Sequence, residues 1–204
     1  MARKSKEEAE QTRLLLLDAA MKVFFEKGLV KTTLANIAAE AGLTRGAIYW
    51  HFKDKADLLE ALWQEQSVPL KQAAQALENQ SGKNLQAGLL KIARILLTEM
   101  RDNPKMAMIM QFSQQGSADE SLRLRCLEKG RQDKARVEAA MLTLQQDGIL
   151  LPHLTPQIAA VIYEGLLAGI CKQWTLYDLV AQTDAQIEQY LHSLARALFV
   201  DCPR

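Results

Sequence analysis

The chain is poor in the residue types that most often carry chemistry. Its three cysteines, Cys126, Cys171 and Cys202, are odd in number and far apart, so they supply neither a disulfide framework nor a metal-ligand spacing and read as reduced thiols. The three histidines, His51, His153 and His192, are scattered too. No Gly-rich phosphate loop or His-Glu-x-x-His run accompanies them, and no nucleophile and base can be paired. The expectation is therefore a protein that is not an enzyme, with no catalytic, cofactor-binding or metal-binding residue. No apolar run approaches about 18 residues, which excludes a helical membrane span. The basic N-terminus is not followed by the apolar block of a signal peptide, so a cytoplasmic location is expected. A net charge of only +1 leaves the chain as a whole without the basic surplus of a general nucleic-acid coat.

What the chain does have is helix-forming material. Apolar residues make up 49% and aromatics only 6%, with Ala, Leu and Gln abundant and no strand-like alternation. The charge is unevenly spread. Residues 1–55 hold ten cations against seven anions, a local surplus that leaves the rest mildly acidic and suits DNA contact at the N-terminal end.

That end is organised around Thr44-Arg45-Gly46-Ala47-Ile48-Tyr49-Trp50-His51-Phe52. A first helix is expected from about Glu7 to Lys27, with Leu16, Ala20, Val23 and Phe24 as its inner stripe and Leu14, Leu15 and Phe25 covered as well. Gly28 stops it, and residues 1–6 are read as a basic arm that orders on a phosphate backbone. Thr33 then caps a helix whose apolar positions Leu34, Ile37, Ala38 and Ala41 recur at three- and four-residue spacing. Gly42 ends that helix, and Thr44 caps the next. Two short helices joined by a Gly-containing turn, the second bearing Arg, Tyr and His, form a helix-turn-helix. The first residues of its second helix, Thr44, Arg45, Gly46 and Ala47, are the candidate base contacts. An Arg there can bond guanine through two donors, and Gly46 has no side chain to hold the helix off the bases. Thr33, Tyr49, His51 and Lys55 are the candidate phosphate contacts, because helix starts offer free N–H groups and the positive end of the dipole. Ile48 and Phe52 are assigned to the core, and Asp54 caps a fourth helix.

The run from Arg13 to Lys55 resembles the DNA-binding region of the TetR family of one-component bacterial repressors. The string from Thr44 to Lys55, and the opening Met1-Ala2-Arg3-Lys4-Ser5-Lys6-Glu7-Glu8-Ala9, are most similar to the branch that represses multidrug efflux pumps. The resemblance implies an all-α protein of about nine helices: a helix-turn-helix DNA-binding domain over residues 1–55 and a ligand-binding and dimerisation domain over 56–204. It also implies a small-molecule pocket in the second domain. At one place the chain departs from that branch, carrying Met110-Gln111-Phe112-Ser113-Gln114 where the efflux repressors often have His-Lys-Cys-Glu-Phe.

The fourth helix is expected to run from Lys55 to about Asn79, kinked or broken within a turn before Pro69. Further helices are expected over about Asn84–Arg101, from Pro104 onward, from a turn at Gly116-Ser117 to Gln146, from Pro156 to about Leu179 and from Asp184 to about Val200. Met100, Met106, Met110, Phe112, Met141, Trp174 and Tyr177 are the candidate ligand pocket. Methionine is flexible and polarizable, and Gln111, Gln114 and Gln115 add polar groups. Gly165, Ala168 and Gly169, together with Tyr190, Leu194 and Leu198 on the last helix, are the candidate homodimer interface. The partners that follow are double-stranded operator DNA, a small apolar or drug-like inducer and a second copy of the chain. The function expected is a ligand-responsive repressor of a multidrug efflux operon, tied to antibiotic resistance. The alternative is a structural or partner-binding DNA-associated protein without an inducer.

Overall fold

The computed structural model describes residues 2–114, 120–177 and 183–200. The expected turn at Gly116-Ser117, the end of the helix near Leu179, Gln115 and Cys202 lie outside them. Ten helices are present among the described residues: α1 (Ala2–Lys31), α2 (Leu34–Glu40), α3 (Arg45–His51), α4 (Lys55–Gln66), α5 (Val68–Gln75), α6 (Gly82–Asp102), α7 (Pro104–Gln114), α8 (Glu120–Gln146), α9 (Pro156–Tyr177) and α10 (Asp184–Leu198). No strand occurs among the described residues, and the all-helical reading holds. The helix count is one higher than expected because the helix after Lys55 is divided. Ser67 interrupts it with φ −88° and ψ 10°, and Pro69 sits in the first turn of the new helix α5, where its missing N–H costs no bond. Helix α5 ends at Gln75, short of the expected Asn79.

The chain forms two compact units. The first runs through α4 to Gln66 and takes in the start of α8 as far as Arg125; the second holds the remainder. The sequence division after Lys55 therefore falls one helix earlier than the structural one. In the N-terminal unit Leu16, Ala20, Val23 and Phe24 of α1 are buried with Ile37, Ile48, Phe52, Leu58 and Leu62. Leu14, Leu15 and Phe25, expected to be covered, are exposed. Helix α1 begins at Ala2, not at Glu7. Gly28 interrupts it with φ 72°, after which one turn continues to Lys31. Gly42, at φ 68°, closes α2 while the N–H of Leu43 donates to the carbonyl of Ala38 at 2.9 Å. This left-handed cap satisfies carbonyls that would otherwise be orphaned.

In the C-terminal unit, α6 lies against α5, α7, α9 and α10. Its buried side chains Leu85, Leu89, Ala93, Leu97 and Met100 recur at helical spacing and form one apolar stripe. Gly88 lets Leu77 lie close: a Cβ there would stand 2.0 Å from Leu77 Cδ2 and would oblige that side chain to shift. The hydroxyl of buried Tyr163 on α9 donates to the Leu89 carbonyl at 2.8 Å. Arg94 pairs with Glu188, and Arg101 with Asp184 at 2.7 Å, joining α6 to α10. An isolated antiparallel bridge between Leu150 and Phe199 ties the loop after α8 to the end of α10.

Candidate nucleic-acid interface

The sequence fixes the two helices of the motif through their caps. The Thr33 hydroxyl accepts from Asn36 N at 3.2 Å, and Asn36 Oδ1 accepts from Thr33 N at 3.1 Å, a reciprocal pair that satisfies two donors at the start of α2. The Thr44 hydroxyl accepts from Ala47 N at 3.2 Å. Ile48 and Phe52 anchor α3 from below at 0% and 2% exposure, so the opposite face is turned to solvent. That face carries Thr44, Arg45 and Gly46, all exposed, and the half-buried Ala47. The four residues named as base contacts thus share one helix start. The Arg45 guanidinium sits 5.7 Å from the centre of the Tyr49 ring, a stacking contact that holds the long side chain along α3. A Cβ on Gly46 would meet nothing nearer than Thr44 Oγ1 at 3.9 Å. The fold does not require glycine there.

The phosphate candidates separate. Thr33 is exposed but its hydroxyl is engaged with Asn36. Tyr49 is exposed beside Arg45. Lys55 directs two of its ammonium donors inward, to the carbonyls of Leu29 at 2.9 Å and Thr32 at 3.3 Å. Its first job is to pin the turn after Gly28, and a phosphate could use only the third donor. Trp50 is 73% exposed and edges onto His51 with ring centres 4.6 Å apart. His51 is half-buried; desolvation and the Arg13 cation hold it below the usual histidine value, against a smaller opposing pull from Glu10. It is therefore neutral near pH 7.

A phosphate placed beside His51 favours its charged form, so the complex would hold a proton that the free protein has released. DNA affinity is then expected to rise as pH falls from about 7 toward 5.5, by at most about one decade per pH unit per recognition helix. A His51→Gln variant should lose that slope. Titrations of labelled duplex across this range check it, and equal slopes for the two proteins would remove His51 from the contact set.

Residues 16–62, spanning the motif from α1 into α4, match the bacterial regulatory proteins of the tetR family. Over its whole length the chain is 30% identical to the HTH-type transcriptional regulator AcrR of Shigella flexneri, covering 96% of that protein. The chain belongs to the tetR family. Two solved structures extend the likeness. NalD, the secondary repressor of the MexAB-OprM multidrug efflux pump in Pseudomonas aeruginosa, superposes with a TM-score of 0.80 at 28% identity, over 96% of this chain and 99% of that one. SmeT in complex with triclosan gives 0.78 at 26%, over 94% and 93%.

In this tetR-family regulator the C-terminal unit buries Met100, Met106, Phe112, Met141 and Trp174, while Met110 is half-buried. Tyr177, placed with them from sequence, is 63% exposed at the end of α9 and lies outside their core. The sequence reading missed Ser67. It is 2% exposed and its hydroxyl meets no hydrogen-bonding partner among the described residues, which no periodicity could have signalled. The dimer candidates also divide. Gly165, Ala168 and Gly169 lie on the exposed face of α9, continuous with exposed Ile158, Val161 and Leu176, and Tyr190 is partly exposed. Leu194 and Leu198 are wholly buried within the subunit. They pack inside α10's own bundle and are corrected from interface to core. No described helix is long and apolar enough to cross a membrane.

Proposed function

We propose that this chain is a homodimeric, cytoplasmic transcriptional repressor that reads a near-palindromic operator and is released from it by small apolar or drug-like molecules. The observation that carries the reading is the capped start of α3, where exposed Arg45 stands beside a glycine that the fold itself does not need. Thr44, Arg45, Gly46 and Ala47 would meet base edges; Tyr49, His51 and Thr33 would meet phosphates, with the remaining donor of Lys55. Likeness to NalD, a repressor of a multidrug efflux pump, supports an efflux operon as the target. Likeness to SmeT with triclosan supports a halogenated phenol among the ligands to test. Met100, Met106, Met110, Phe112, Met141 and Trp174 would surround the ligand, and Gly165, Ala168, Gly169 and Tyr190 would face the second copy. In a dimer the recognition helices must sit about 34–36 Å apart to enter successive major grooves. A ligand that favours another spacing by roughly 1–3 kcal/mol would loosen the operator about 5- to 150-fold.

Selection of duplexes from random DNA, followed by footprinting beside the protein's own gene, tests this. Two related half-sites and a preference of roughly 10³-fold or more over random DNA are expected. A protein that bound all duplexes alike would be the structural DNA-associated module instead.

Ser67 adds a local expectation. Ser67→Ala removes a buried hydroxyl that lacks a partner, so stability should hold or rise by up to about 1 kcal/mol. If ligand satisfies that hydroxyl, triclosan affinity should fall by roughly three- to tenfold, the loss of about one hydrogen bond. Thermal melts with and without triclosan give both values; unchanged affinity places Ser67 away from the ligand.

A further inference from the structure

Arg125 lies in the second turn of α8, and its guanidinium converges on three carboxylates at the α4 start. Nη1 donates to Glu60 Oε2 at 3.2 Å and lies 3.9 Å from Asp57 Oδ1, and Nη2 lies 3.6 Å from Asp54 Oδ2. Two of those acids are already employed. Asp54 Oδ1 accepts from Asp57 N at 2.7 Å, and Asp57 Oδ2 accepts from Lys53 N at 2.9 Å. Each carboxylate gives one oxygen to the helix cap and turns the other toward Arg125. The N–H of Lys53 directly follows Phe52, the C-cap of α3, so the cation holds the joint where the recognition helix ends and α4 begins. Exposed ion pairs are individually weak because two mobile side chains must be immobilised. Here two of the three acids are already fixed by backbone bonds, and one cation offsets three negative charges at three-residue spacing on α4.

The chain continues from Arg125 straight into the C-terminal unit, which begins again at Cys126. We infer that Arg125 is a positioning residue for DNA reading: it fixes the α3–α4 joint, and through it α8 carries the ligand state of the C-terminal unit to the recognition helix. The relay rests on the ligand response proposed above; the hold on the joint does not.

The test uses the full-length protein. Hydrogen exchange of the free protein reads the hold directly. Arg125→Ala should speed exchange at the Asp57 and Leu58 amides by roughly three- to tenfold, with α2 amides unchanged and the melting temperature nearly so, as loss of a small ion-pair network implies. Affinity for a duplex selected by the wild-type protein should fall by a similar factor. Arg125→Lys should restore part of both effects, and Arg125→Ala combined with Glu60→Gln should lose less than the two single losses multiplied. Wild-type exchange at Asp57 and Leu58 in Arg125→Ala, or strictly multiplicative losses, would overturn the hold. For the relay, triclosan bound well enough to raise the melting temperature should quicken the same two amides in the wild-type protein. Binding without that change would overturn the relay. Failure to select any duplex would sink the repressor reading, while the exchange result would still decide the role of Arg125.

Discussion

Arg45→Ala is expected to erase sequence discrimination while leaving the fold intact. The side chain is exposed on α3 and stacks on Tyr49 within its own helix, so its loss opens no cavity and strands no buried group. A bidentate contact from Arg to guanine is worth roughly 1–3 kcal/mol. A two-fold symmetric dimer makes each such contact twice, so the total is about 2–6 kcal/mol, or roughly 30- to 10⁴-fold in preference for the selected duplex. Binding to random DNA should fall far less, because that term comes from phosphate neutralisation and one charge in each half-site is a fraction of it. Gel shifts with the selected and a scrambled duplex separate the two effects. Full retention of preference would move base reading away from the start of α3.

Gly169→Trp is expected to convert the protein to a monomer at micromolar concentration. Nothing lies within 4 Å of a Cβ built at Gly165 or Gly169, so within the subunit the indole would extend into open space. Across a packed interface the same ring must be accommodated. Overpacking costs typically 1–3 kcal/mol per site, and an isologous interface meets the change twice. A shift of about 2–6 kcal/mol raises the dimer dissociation constant roughly 30- to 10⁴-fold. Light scattering gives the mass and circular dichroism the unchanged helix content. Operator binding should fail with the dimer, because a single recognition helix buries too little surface to be selective. A variant that stayed dimeric would take the Gly165–Gly169 face of α9 out of the interface.

The helix ends were legible because their signals are local. Thr33, Thr44 and Asp54 each bond a backbone N–H three residues on, and Gly28 and Gly42 take left-handed conformations that other residues resist. Nothing beyond a few neighbours is needed to predict them. Periodicity was equally sound about which residues share a face and silent about what covers that face. Leu194 and Leu198 do lie on the apolar side of α10, but that side is consumed within the subunit. On α9 the exposed side holds small residues, Gly165, Ala168 and Gly169, beside Ile158, Val161 and Leu176. Tyr177 differs for a related reason: composition suggested a pocket, while at the end of α9 the residue is exposed. Long side chains were the least legible. The stem of Lys55 lets its ammonium reach carbonyls 26 and 23 residues earlier, and Arg125 meets acids 65 or more residues away. Such pairings depend on the folded path of the chain, which no local pattern encodes.

The path of α8 bears on how such regulators can be recombined. A chimera that grafts a foreign sensor after Gln66 would bring the sensor's own residues to the place of Arg125, whose guanidinium pairs with Asp54, Asp57 and Glu60. The acids at Asp54, Asp57 and Glu60 would then face whatever the donor supplies. A graft that keeps the host segment through Arg125 as an inserted cassette preserves their counter-charge. The reading head of this protein is thus discontinuous in its gene, and its transplantable module consists of two stretches of coding sequence.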